Sequence, residues 1–296
     1  MYRIIVWGSG REFDRLRSFL ELEERRGNVE IIGITSNEDY LHYIGGYKFF
    51  NKPEVSSLPF DYIVVATERY YRDICREALE LSIPIEKIIR GDVFYVPYFD
   101  FKRYVKIKES RISIVSNHCW GGVVCHRLGL PFLSPFVNML IDNEDYVRLV
   151  CNLPFYLKQP LKDGGRNRTG APLGRLSDVT IQFIHHQNFE SAERDWNRRV
   201  SRVNYENIFA EFTAGADDEA VRKFSNCNYN KTAFTTREFD YPYCTFLKDW
   251  SSDIIKSRYT YMFGIYILDL LKTEHRASCP IDILKLLSDE TFIMKY

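Results

Sequence analysis

The run Ser116-Asn117-His118-Cys119-Trp120-Gly121-Gly122 gathers a thiol, an imidazole, an amide, a hydroxyl, an indole and two glycines into one short stretch. Three chemistries fit those residue types at that spacing. In the first, Cys119 is a nucleophile, which needs a cation or a helix N-terminus nearby to favour its thiolate. His118 is adjacent, but neighbours on an extended backbone point apart, so the proton acceptor is expected at His185 or His186. In the second, a Gly121-Gly122 turn heads a helix beginning near Val123 and offers backbone N–H groups to a phosphate or carboxylate. Ser116 and Asn117 then donate hydrogen bonds and Trp120 stacks on the ligand. In the third, Cys119 and Trp120 are core residues beneath a tight turn.

A second cluster, His185-His186, ends an apolar run, and α/β sites form outside the carboxyl ends of strands. Successive side chains of a strand face opposite ways, so only one imidazole enters a given crevice. On the helix that follows, Trp196, Arg199 and Val203 share a face, while Arg198 and Arg202 form another stripe. A guanidinium turned inward suits bidentate recognition of phosphate or uronate. The alternative packs Trp196 on the sheet and leaves the arginines solvated or paired with Glu190, Glu193, Glu206 and Glu211.

The third candidate is Gly8-Ser9-Gly10, between an apolar run and a charged amphipathic stretch. That is the strand–turn–helix context in which backbone N–H groups and the helix dipole meet a phosphate. Phe13 stands where a dinucleotide fingerprint has its third glycine, and Thr35-Ser36-Asn37 where a ribose-binding acid is usual, with Glu38 and Asp39 slightly late. NAD is disfavoured on those grounds; a degenerate Rossmann-like domain serving recognition or packing is expected, and the cofactor stays unknown. There is no Cys-x-x-Cys pair, and Cys119 and Cys125 are too loosely supported by histidines for a structural zinc site, so no metal site is read. The seven scattered cysteines read as reduced thiols.

Elements must hold these clusters in place. The chain has 296 residues, more than the usual ~100–150-residue domain, so two domains are expected. Strands are expected at Tyr2–Trp7, Val29–Thr35, Phe60–Thr67 and Ile85–Ile89, with helices from Gly10 to near Arg26 and from Tyr70 to Leu81. Gly91–Tyr104, rich in aromatics, breaks this rhythm and links residues 1–104 to residues 105–296. In the second part, Ile112–Val115, Val179–Ile184, Ile208–Phe212 and Lys231–Thr235 read as extended. Val123–Leu128, Asp145–Leu157, Phe189–Val203, residues 217–224 and Ile281–Leu287 read as helical. The glycine-rich stretch Lys162–Gly170 reads as an exposed mobile loop, with a lid as its functional version. Tyr241, Tyr243, Phe246, Trp250, Tyr259, Tyr261 and Phe263 suit core packing, or a sugar platform or oligomer contact. The fold class is α/β: two Rossmann-like, doubly wound, mainly parallel units in tandem.

Forty basic residues balance forty acidic ones, which gives no global pull toward nucleic acid or anionic membrane. Apolar stretches fall short of the ~20 residues a membrane span requires, and Met1-Tyr-Arg leads into a strand rather than a signal peptide, so the expected location is the cytoplasm.

The strands Ile5-Val-Trp-Gly-Ser-Gly10 and Asp61-Tyr-Ile-Val-Val-Ala-Thr67 resemble the small Rossmann-like domain that precedes various bacterial sugar-modifying and polysaccharide-assembly enzymes. The resemblance implies Gly8, Ser9 and Gly10 as contacts to a nucleotide or nucleotide-linked sugar, with Thr67 facing the same crevice. Residues 110–240 resemble a bacterial family of unknown activity whose members are often described as exopolysaccharide or capsule biosynthesis proteins. The matching motifs are Ser116–Gly122, Leu133-Ser-Pro-Phe136, Asp145-Tyr146 and Trp196-x-x-Arg199-x-x-Arg202-Val-Asn204. That resemblance implies a context in surface-glycan assembly. It marks Asn117, Cys119, Trp120, Gly121, Gly122, Ser134, His185, Trp196, Arg199 and Arg202.

The leading expectation is a transferase binding a nucleotide-activated sugar or sugar phosphate in a cleft between domains, with His185 or His186 as general base and Arg199 or Arg202 on phosphate. Its rivals are a non-catalytic module for a glycan precursor or partner enzyme, and a hydrolase or acyltransferase built on Cys119.

Overall fold

Runs such as Ile4-Ile-Val-Trp7 and Tyr62-Ile-Val-Val65 are apolar without alternation, the pattern of strands covered on both faces, and all these residues are buried. In the computed structural model, which describes residues 1–38, 42–247 and 281–288, the chain divides into two units. The first holds residues 1–105 and 127–129, the second 106–126 and 130–296. Each contains a four-stranded parallel sheet flanked by helices.

In the first unit, β1 (Tyr2–Trp7), α1 (Arg11–Arg25) and β2 (Val29–Thr35) form the opening βαβ. A two-residue-per-strand hairpin, β3 (Tyr43–Ile44) and β4 (Tyr47–Lys48), and the short α2 (Lys52–Val55) precede β5 (Tyr62–Val65), α3 (Tyr71–Glu80) and β6 (Ile88–Arg90). The sheet order is β2-β1-β5-β6. From β1 the chain adds a strand on one side and then on the other, so the ends of β1 and β5 flank the topological switch point where α/β proteins bind ligands. The expected strand at Ile85 starts three residues later, because Ile85–Lys87 turns as a 3-10 segment after Pro84.

The unit boundary falls within α4 (Phe101–Glu109). The second unit continues with β7 (Ser113–Ser116), α5 (Trp120–Arg127), β8 (Leu140–Ile141), α6 (Asn143–Cys151), α7 (Leu153–Leu157), β9 (Lys162–Arg166), β10 (Pro172–Leu176) and β11 (Val179–Gln182). Then come α8 (Phe189–Val200), β12 (Ile208–Gly215), α9 (Asp218–Phe224), β13 (Asn230–Thr235), β14 (Cys244–Phe246) and a last helical turn, Ile283–Leu287. The parallel sheet runs β14-β13-β12-β7. Beside it the unit adds an antiparallel sheet, β8-β11-β10-β9.

Three local expectations change. The helix expected from Val123 starts at Trp120, placing both glycines inside it. The helix expected over Asp145–Leu157 is two, broken at Asn152 (φ −136°, ψ 43°) ahead of Pro154. Lys162–Arg166 is an edge strand of the antiparallel sheet rather than a loose loop. Past it, Asn167 Oδ1 accepts hydrogen bonds from the N–H groups of Thr169 and Ala171, which closes the turn. Trp250, Tyr259, Tyr261, Phe263, Cys279 and Asp39 lie outside the described residues. Tyr241 and Tyr243 stack on each other at 5.2 Å against the core of the second unit, and Tyr243 Oη donates to Val221 O at 2.9 Å.

Candidate functional site

The residues after β1, β2 and β5 enclose a cleft of about 860 Å³ in the first unit. Gly8, Ser9, Gly10 and Thr67 all line it, together with Trp7, Arg11, Glu12, Ser36, Asn37, Glu38, Arg69, Tyr70, Asp73 and Glu77. Gly8 sits at φ +124°, and a Cβ there would meet Ala66 Cβ at 3.2 Å, so the turn after β1 needs glycine both for conformation and for its approach to β5. Gly10, the N-cap of α1, has no side chain to cap the helix; Phe13 N–H turns back to Gly10 O at 2.9 Å, and the N–H groups of Arg11 and Glu12 and the positive dipole end stand at the cleft. Among the described residues, two cleft-lining polar atoms have no hydrogen-bond partner: Thr67 Oγ1 and the indole Nε1 of Trp7, a residue only 1% exposed. Unsatisfied buried donors are costly, and a ligand is one way to satisfy them.

In the second unit, the carboxyl ends of β7 and β12 carry a buried polar network, in which Glu211 Oε2 has no partner among the described residues. The ladder pairs Ser116 with Glu211, and beyond it Asn117 continues as a side-chain rung: its Oδ1 accepts from Thr213 N at 3.0 Å and its Nδ2 donates to Thr213 O at 3.2 Å. Trp120 N–H donates to His118 Nδ1 at 3.0 Å, which makes Nε2 the protonated nitrogen of a neutral ring, directed at Thr213 Oγ1. The Thr213 hydroxyl donates in turn to Glu211 Oε1 at 2.7 Å. Burial pushes the imidazole of His118 down to about 3. Burial likewise pushes the Glu211 carboxyl up to about 8, against the lowering effect of the Thr213 hydrogen bond. Both therefore stand neutral at intermediate pH.

Cys119 sits beside this network, half-buried, with Sγ 3.6 Å from His185 Nε2. Val123 N donates to Cys119 O, so the cysteine opens α5. His186 instead turns its Nε2 to Asp195 Oδ2 at 3.5 Å, with its Nδ1 buried and unpartnered. Asp195 also holds Arg198 at 2.8 Å and Arg199 at 3.3 Å.

Residues 91–264 match the model of a protein family described as a domain of unknown function, DUF1919. The match spans more than half of the chain. The chain belongs to that family. Residues 1–89 separately match a model described as C2185-like, N-terminal. An uncharacterized protein of Haemophilus influenzae is 31% identical over 137 residues, 45% of this chain and 66% of that protein, so the chain spans just under two thirds of this relative.

Within the DUF1919 region the residues marked in the sequence separate by role. Cys119 and His185 come together, as does the network of Ser116 and Asn117. Trp120, expected as a stacking platform, is fully buried between Phe209 and Phe234 at ring distances of 6.3 and 5.9 Å. Gly121 and Gly122 are buried helix residues, not an anion-binding turn. The amides that would grip an anion are spent internally, Trp120 N–H on His118 and Gly121 N–H on Ser116 Oγ at 3.1 Å. Glycine is required at 121 because a Cβ would lie 2.9 Å from both Ile114 Cγ2 and Ser116 Oγ. Ser134 is buried and accepts from Phe136 N, a turn contact. Trp196 packs edge-on against Phe136 at 5.5 Å and Phe183 at 6.2 Å. Arg199 is tied to Asp195, and Arg202 lies exposed past the end of α8. Glu211 is fully buried, so the pairing with surface arginines gives way to the network.

Sequence reasoning missed Glu211, Thr213, Asn143 and Asp217 in this network; Asn143 Nδ2 reaches Ala214 O at 3.3 Å and Asp217 Oδ2 at 3.0 Å. One signal was available: a glutamate inside Ile208-Phe-Ala-Glu-Phe-Thr-Ala214, an otherwise apolar strand whose residues are all buried. Among the described residues, no group of three or more potential metal ligands stands together, and no helix is long and apolar enough to cross a membrane.

Proposed function

We propose that the protein binds a nucleotide-linked sugar or a sugar phosphate in the cleft of its first unit, and that it serves surface-polysaccharide assembly as a transferase acting on that ligand. The observation that carries the reading is the uncapped N-terminus of α1 opening onto the 860 Å³ cleft beside Thr67. A phosphate belongs at the helix end, where unpaired N–H groups and the dipole favour negative charge. The rest of the lining argues for more than phosphate. Two arginines, Arg11 and Arg69, face four carboxylates, Glu12, Glu38, Asp73 and Glu77. A bare polyanion is poorly served there, whereas a ligand with phosphate at one end and sugar or ribose hydroxyls at the other uses both halves. Tyr70, with the Arg69 guanidinium over one face of its ring at 5.3 Å, offers the other to a base or sugar. The polysaccharide context rests on the sequence resemblance.

A calorimetric and thermal-shift panel of uridine- and guanosine-diphosphate sugars, free nucleotides, sugar phosphates and NAD(P) tests the reading. A nucleotide sugar or sugar phosphate should bind with a rise in Tm. Thr67→Val, which keeps the shape and removes the hydroxyl, should weaken it about tenfold, the worth of one hydrogen bond. If no member of the panel binds, or if Thr67→Val binds as tightly as the wild type, the cleft is not the site.

A further inference from the structure

The cleft of the first unit leaves Cys119 and His185 without a task. We propose that the second unit carries a thiol–imidazole catalytic pair, with Cys119 as nucleophile and His185 as its general base, acting on a neutral activated acyl ester or thioester. Cys119 Sγ and His185 Nε2 stand 3.6 Å apart, within the reach of a hydrogen bond to sulfur, although 66 residues separate them in the chain. His185 is exposed and Cys119 half-buried, so the sulfur is open on the side where its base stands.

The surroundings select the chemistry. Burial raises the Cys119 thiol above its ordinary value. A resting thiolate is therefore disfavoured, and the proton has to leave as the attack proceeds, which is what an imidazole in contact with the sulfur provides. The flanking groups are neutral as well: Asn117, and His118 with its Nδ1 occupied. With the Trp120 and Gly121 amides bonded to His118 and Ser116, two N–H groups of the first helical turn are withdrawn from a phosphate or a strong oxyanion hole. The pair thus suits an uncharged carbonyl carbon that carries a good leaving group.

The step balances without any redox partner. Sγ bonds to the acyl carbon while its proton passes to His185 Nε2; the tetrahedral adduct collapses, the carbon–heteroatom bond breaks, and Nε2 returns the proton to the leaving oxygen or sulfur. Water or an acceptor hydroxyl then attacks the thioester, gives its proton to Nε2 and displaces Sγ, which recovers the proton. His118, Thr213 and Glu211 touch no reacting atom; they are positioning residues that fix the backbone on either side of Cys119.

The full-length protein with p-nitrophenyl acetate supplies the test, read by p-nitrophenolate release and by mass spectrometry of the peptide carrying Cys119. Acetylation should appear at Cys119 at least about tenfold faster than on free glutathione in the same reaction, an ordinary thiol and a fairer reference than Cys151, which is hydrogen-bonded to Cys227. His185→Gln should slow it about a hundredfold, the usual lower bound for a general base, and erase the limb of the pH–rate profile that tracks an imidazole. Because the His185 side chain is exposed, the variant should keep its circular dichroism and Tm. Acetylation of Cys119 no faster than that of glutathione, or an unchanged rate and pH profile in folded His185→Gln, overturns the proposal.

Discussion

Glu211 and His118 hold one proton between them through the Thr213 hydroxyl, and that sets a pH dependence of stability. The carboxyl titrates near 4.5 when unfolded and about 8 when folded; the imidazole near 6.5 unfolded and about 3 folded. Between pH 4.5 and 6.5 the unfolded chain has its proton on histidine and the folded chain has its proton on glutamate, so the two contributions cancel and stability is flat. Above 6.5 only the folded state still holds the proton, and stability falls until about pH 8. Below 4.5 the unfolded state binds one more proton than the folded state, and stability falls again toward pH 3. Each arm amounts to about 2 kcal/mol at about 1.4 kcal/mol per pH unit. Glu211→Gln, which mimics the neutral acid, should remove the alkaline arm, so its advantage over the wild type in urea denaturation should grow from pH 6 to pH 8. A constant difference over that range would mean that Glu211 is already ionised in the folded protein. At the residue level the sequence offers Glu211 as a surface partner for arginine, and only its place inside an apolar strand hints at burial. A carboxylate's surroundings are decided by which strands pair beside it and what packs over them, and β7, nearly a hundred residues upstream, pairs with this one at Ser116.

At the scale of elements, the two glycine turns were alike in sequence and differ in what saturates their helix ends. α1 begins after Gly10 with no side-chain cap, whereas the start of α5 is served by His118 and Ser116. Gly121 consequently has a packing role: it lets α5 lie against β7. Gly121→Ala should cost about 1–3 kcal/mol by overpacking against Ile114 and Ser116, read as a lower urea midpoint with an unchanged slope. A neutral substitution would return the glycine to a ligand role. The strands of both parallel sheets were legible from their unbroken apolar runs, because that pattern depends only on burial of both faces. The start of α5 was not, since Trp120 and two glycines carry weak helix propensity and the helix is held by contacts from Ile114, Phe209 and Phe234. Lys162–Arg166 was misread for the converse reason: its two glycines and charges signal a loop, while pairing with β10 makes it a strand.

For the whole molecule, forty basic and forty acidic residues leave no net charge, so non-specific attraction to a polyanion should be absent. The protein should pass through heparin at physiological salt without retention; elution well above that salt would reveal a clustered basic surface that the balance of charges conceals. The α/β class, most strands and helices, and the glycine turn of the first unit are legible in the sequence, because propensity, periodicity and turn chemistry are local properties; Thr67 is marked only by the family resemblance. Only the tertiary structure decided which glycine turn keeps its amides open, that Trp120 and Trp196 are core, that Glu211 is buried, and that Cys119 meets His185 rather than His118. Those outcomes depend on donors, acceptors and bulk brought from distant strands, and hydrogen-bond saturation and burial are settled only when the strands pack.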